Sequence, residues 1–152
     1  MSANGQLSII FQNMPKYLCV DEFIEAQSKS IQAIIFALDR LIMVSDIRFK
    51  THLGFNTVFY KLKHEVIYIG KIREKTGLEL CFMRGLLLKN SHGLLDNKGR
   101  KIVAGIMIQN LADFRAKQEA IAESIQEAVM LDDQHDRSVY YEVLSANRKR
   151  RG

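Results

Sequence analysis

Three consecutive segments, "HLGFNTVFYKLK" (52–63), "EVIYIGKIRE" (65–74) and "LELCFMRG" (78–85), are rich in aromatic and β-branched residues and follow one another almost without a break. Side chains of this kind favour the pleated, half-buried surface of a sheet. Connections this short join antiparallel neighbours only, because a parallel crossover needs about a dozen residues or more. The chain is therefore constrained to form an antiparallel meander. In the third segment Leu78, Leu80 and Phe82 alternate with Glu79, Cys81 and Met83, so one sheet face is apolar and the other mixed. A further strand is read at "KIVAGIMIQ" (101–109), where Gly105 marks a bulge or a close approach.

Outside this block the apolar period becomes helical. Asp21 and Glu22 open a short helix in "DEFIEAQ", where their charge suits the positive end of the helix dipole. Ser30 reads as the N-cap of a second helix ending near Val44, since Ile31, Ile34, Ile35, Leu38, Leu41 and Ile42 recur at helical spacing. Asn110 reads as the cap of a long helix over 111–131 with a stripe of Phe114, Ile121, Ile125, Ala128, Val129 and Leu131. "YYEVLSAN" adds one more short helix before a basic tail. Helices, then strands, then a helix predict an α+β fold: an antiparallel sheet of about four to six strands covered by an N-terminal helical pair and a long C-terminal helix. The chain divides into an N-terminal arm (1–20), an α+β domain (21–133) and a C-terminal extension (134–152).

With 152 residues, 47% of them apolar, the chain is long enough to bury one core. Its net charge of +5 is unevenly spread: −2 over residues 1–47, +8 over 48–101, −5 over 102–147 and +4 over the last five. The acidic flanks offset the basic centre, and the remaining excess sits in the terminal "RKRR". No uniform basic face follows, which argues against a dedicated nucleic-acid surface. Cys19 and Cys81 match no zinc spacing and suit reduced, cytoplasmic thiols. No stretch approaches the roughly 20 apolar residues of a spanning helix, and the N-terminus lacks the pattern of a cleaved leader, so a soluble, cytoplasmic protein is expected.

The stretch "RGLLLKNSHGLLDNKGRK" (84–101) combines turn glycines with basic side chains. Arg84, Lys98, Arg100 and Lys101 make it a candidate anion cradle, while Gly93 and Gly99 serve turns and Leu94 and Leu95 anchor it to the core. It lacks the Lys-Ser/Thr pair of a phosphate loop. Tyr60 and Tyr68, with Lys61, Lys63 and Lys71 nearby, form a candidate aromatic, basic sheet face for stacking a planar ligand. His52, His64, His92 and His135 show no paired metal spacing, and no serine elbow or activated cysteine is present. Glu65, Glu74 and Glu79 read as solvated partners of lysines across the hairpins. Asp21, Glu22 and Glu25 place two or three carboxylates on one helix face, a weak candidate for a metal.

Three pieces, "FKTHLGFNTVFYKLK" (49–63), "LELCFMRGLLL" (78–88) and "HGLLDNKGRKIV" (92–103), together with the helix ending "AVMLDD", resemble the YdhG-like family, a domain of unknown function. The family places proline before the aromatic pair matching Phe59 and Tyr60, where this chain has Val58. The resemblance implies a frataxin-like α+β sandwich, and iron-chaperone relatives imply iron as a cofactor, with Asp21, Glu22 and Glu25 its candidate ligands. The expected function is a small non-catalytic binding or carrier module, its ligand held between the sheet and the 84–101 loop. The alternatives are an intracellular iron-binding chaperone and a nucleic-acid or protein-assembly factor using the basic tail. A homodimer through exposed strand edges is a further expectation.

Overall fold

A computed structural model describes residues 16–143. Ile9, Ile10 and Phe11 of the arm, the basic tail and the end of "YYEVLSAN" lie outside the described residues. Helix α1 (Val20–Glu25) carries Asp21 and Glu22 in its first turn, and the Glu22 carboxylate accepts the Leu18 N–H at 2.7 Å. Helix α2 (Lys29–Ser45) follows at once. Its N-cap is Ser28 and not the expected Ser30: the Ser28 Oγ accepts the Ile31 N–H at 3.3 Å, whereas Ser30 already lies in the first turn. Only the serine three positions before that amide can reach it.

The sheet is a meander of five antiparallel strands, β1 (Lys50–Gly54), β2 (Thr57–Lys61), β3 (Glu65–Arg73), β4 (Gly77–Phe82) and β5 (Ala104–Ile108), in sequential order. "HLGFNTVFYKLK" is thus two strands and not one. Phe55 and Asn56 take φ of 51° and 59°, the two left-handed residues of a primed hairpin turn. Cross-strand pairing aligns Tyr60, Ile67, Phe82 and Ala104 on one face, followed by Ile69, Leu80 and Ile106. A one-residue bulge between Ile69 and Ile72 keeps both isoleucines against the core, where strict alternation would part them.

Helices α2 and α3 (Leu111–Gln134) cover this face together. Ile31, Ile34, Ile35, Leu38 and Ile42 of α2 meet Ile121, Ile125 and Ala128 of α3 over the strand aliphatics. Each isoleucine or leucine so withdrawn from water contributes roughly 1.5–3 kcal/mol. The Tyr60 ring lies in this core, and its hydroxyl donates to Asp39 Oδ1 of α2 at 2.7 Å. Asn110 caps α3 by accepting the Asp113 N–H at 2.8 Å, as the sequence predicts. Near the other end, buried Asp132 accepts the backbone N–H groups of Lys63 at 2.9 Å and His64 at 3.1 Å, clamping α3 to the β2–β3 turn.

The 84–101 stretch connects β4 to β5, beginning with a 3₁₀ turn over Gly85–Leu87. Leu94 and Leu95 pack on the core, and Ser91 Oγ and the Lys89 N–H reach Glu123 and Glu127 of α3. Gly105 is a close approach: a Cβ there would lie 2.6 Å from the Glu79 carboxylate. No helix among the described residues is long and apolar enough to cross a membrane.

Candidate functional site

The sheet face turned away from the helices carries a row of different composition. Register aligns His52, Phe59, Tyr68 and Cys81 across β1 to β4. His52 stacks on Phe59 with ring centroids 5.5 Å apart, and Phe59 stacks on Tyr68 at 5.2 Å. Tyr60 and Tyr68 therefore do not share a face. Their numbers place them on neighbouring strands, but antiparallel pairing sets Tyr68 opposite Phe59 and Tyr60 opposite Ile67. The aromatic surface is made by Phe59 and Tyr68.

Over this row runs a groove of about 770 Å³. Phe59 and Tyr68 form its floor, Arg100 to Val103 one wall, and Val139, Tyr140 and Val143 its roof. Among the described residues the roof is helical over 139–143, and Ser138 starts it, its Oγ accepting the Tyr141 N–H at 3.2 Å. Val139 is buried against Phe59 and Met83, with Tyr68 and Ile102 packed around them. The C-terminal extension thus contributes to the site. Lys71 and Lys101 also line the groove, and neither joins an ion pair among the described residues.

The four basic residues expected to form an anion cradle do not converge on one point. Arg100 grips the Glu79 carboxylate with two bonds of 3.0 and 2.8 Å, and Lys98 Nζ lies 3.6 Å from the same group. Arg84 instead pairs with Glu142 at 2.8 Å. Lys101 faces the groove. Glu79, expected as a solvated partner on the sheet surface, is 3% exposed. Glycines at 70 and 105 leave the room it occupies. Burial pushes its carboxyl upward, but Arg100, Cys81 and Lys98 outweigh that and hold it below the usual range. The Cys81 thiol donates to Glu79 Oε1 at 3.1 Å, and burial together with that carboxylate pushes it up to about 12. Burial, with Cys81 beside it, also raises the Tyr68 phenol. Thiol and phenol both keep their protons at neutral pH.

His92 and buried Ser124 lie 2.9 Å apart, a separation that invites a nucleophile-and-base reading. The Leu94 N–H, however, donates to His92 Nδ1 at 3.1 Å. That contact makes Nδ1 the acceptor and leaves Nε2–H to donate to Ser124 Oγ, the tautomer opposite to a base. His64 Nδ1 lies 3.0 Å from Asp132, His135 Nδ1 lies 2.6 Å from the Leu131 carbonyl, and His52 faces Glu65 at 3.4 Å. Among the described residues no group of three or more His, Cys, Asp or Glu, Asp21, Glu22 and Glu25 included, is placed so that it could hold a metal ion. A six-residue helix bearing one carboxylate committed to its own N-terminal side does not gather the ligands.

Phe59, Val139 and the Glu79–Arg100 pair escaped the sequence reading. Glu79 was recoverable from its place inside an otherwise apolar strand; the facing of Phe59 and Tyr68 depends on the register of two strands, and the Arg100 contact spans 21 residues, so neither has a local signal. No family model matches the chain, and no curated protein or solved structure matches it either.

Proposed function

We propose that this chain is a small, non-catalytic binding or carrier module whose ligand lies between the open sheet face and the 100–103 end of the β4–β5 connection. The observation that carries this reading is the groove with its Phe59–Tyr68 floor and, at its edge, Lys71 and Lys101, which join no ion pair among the described residues. Its volume falls within the roughly 300–1,000 Å³ of small-molecule sites. A ring-bearing ligand would stack on the aromatic floor, and the lysines would favour one with negative charge. The protonated thiol and phenol beneath suit holding a ligand more than attacking it.

We keep membership of the YdhG-like family as a proposal carried by the three sequence pieces, and a cytoplasmic location as one carried by the free thiols of Cys19 and Cys81. Calorimetric titration with 2-naphthoate tests the groove. Saturable binding at one site is expected, weakened about tenfold or more by Tyr68→Ala, which removes half of the stacking floor. Absence of saturable binding, or equal binding by the Tyr68→Ala variant, would show the reading to be wrong.

A further inference from the structure

We propose that Arg84 is a carboxylate-binding subsite at the end of the groove, and that Glu142 of the roof occupies it as a built-in stand-in for the ligand's own carboxylate. Arg84 Nη1 donates to Glu142 Oε2 at 2.8 Å, and Nη2 lies 3.4 Å from Oε1, so both carboxylate oxygens face the guanidinium fork. The same Nη2 donates to the Arg137 carbonyl at 2.6 Å. This is how a planar carboxylate is held, and an arginine is the side chain suited to it.

Exposure of the two partners is unequal. The Arg84 side chain is 11% exposed and fixed beside Met83, whereas Glu142 is 39% exposed. A guanidinium so far removed from water requires an anion beside it. The anion supplied sits on the segment that is helical over residues 139–143, which meets the sheet face through Val139. That segment also bears Val139, Tyr140 and Val143, which roof the groove. Lifting it therefore opens the groove and bares Arg84 in one movement. Met83 lines the groove and also the cavity of about 10 Å³ beside Arg84, so an apolar body on Phe59 and Tyr68 and a carboxylate on Arg84 are adjacent. The ligand class is an aryl or alkyl carboxylate that displaces Glu142.

This inference rests on the proposed groove for the ligand's apolar part, but the Arg84 subsite is testable without it. The Arg84 Nε–H resonance is followed by NMR in the unaltered chain and in Glu142→Gln, first with acetate, which needs no apolar groove, and then with 2-naphthoate. In Glu142→Gln, acetate should shift the Arg84 resonance saturably, with inorganic phosphate weaker; in the unaltered chain the response should be about tenfold weaker. The same substitution should tighten 2-naphthoate about tenfold, and Arg84→Gln in the Glu142→Gln background should abolish that gain. Retained amide protection at Ile67 and Leu80 controls for folding. An Arg84 resonance unmoved by acetate in Glu142→Gln overturns the subsite. If 2-naphthoate still binds in that case, the groove stands without it. If acetate moves Arg84 but 2-naphthoate binds no tighter than acetate, the subsite stands and the groove reading fails.

Discussion

The two faces of the sheet are built from the same strands on different rules. The helix-covered face presents Tyr60, Ile67, Ile69, Leu80, Phe82 and Ile106, all essentially out of water and met by the isoleucines of α2. The opposite face presents His52, Phe59, Tyr68, Cys81 and buried Glu79, gripped by the partly exposed Arg100 of the β4–β5 connection, with Val139 packed on Phe59. Stability is concentrated where aliphatic side chains interlock, and the proposed recognition is assigned to the face that carries aromatic and charged groups. A sheet with one face given to packing is free to vary the other.

The largest expected effect lies on the closed face. Ile67→Ala should remove about 2–5 kcal/mol from the unfolding free energy measured in urea, because the site is packed from both helices. Tyr68→Ala, on the open face, should remove about 1–2 kcal/mol; an equal loss at both positions would erase the contrast. Glu79→Ala should fall between them, at about 1–3 kcal/mol, since it leaves the Arg100 guanidinium without its partner. Adding Arg100→Met to it should recover part of that loss, and failure of the double variant to recover any would mean that the pair itself is a net source of stability.

A smaller effect is set by pH. Glu79 has a carboxyl held below its ordinary range in the folded chain, so the stability it contributes is present above the unfolded value of about 4.3 and fades as pH falls through the folded value. Urea midpoints should therefore decline below about pH 4, and Glu79→Gln should flatten that decline. The mildest probe leaves the sequence unaltered. Iodoacetamide should label exposed Cys19 while sparing Cys81, whose thiol is buried and shifted to about 12; rapid modification of both would mean that the open face opens far more readily than its packing implies.

Much of the architecture was legible because it depends on local pattern. The aliphatic stripe of α2, the Asn110 cap and the alternation in β4 each follow from residues a few positions apart. The Phe55–Asn56 turn was not read, because an aromatic residue replaces the usual glycine or asparagine at its first left-handed position. The site was legible only in part. Arg84, Lys98, Arg100 and Lys101 were visible as a basic group, but Glu79 lies 21 residues from Arg100 and Glu142 lies 58 from Arg84, so the sequence could not show that Arg84, Lys98 and Arg100 already face carboxylates while Lys101 faces the groove. Tyr60 and Tyr68 were assigned to one face because cross-strand register is a property of two strands at once.

The central claim is that the open face receives a ligand and the closed face only packs. Intermolecular NOEs from the ring protons of 2-naphthoate test it most directly. Cross-peaks to Phe59, Tyr68, Ile102 and Val139, which surround the groove, are expected. Cross-peaks confined to Phe36 and Val44, exposed on the outer side of α2, would contradict it.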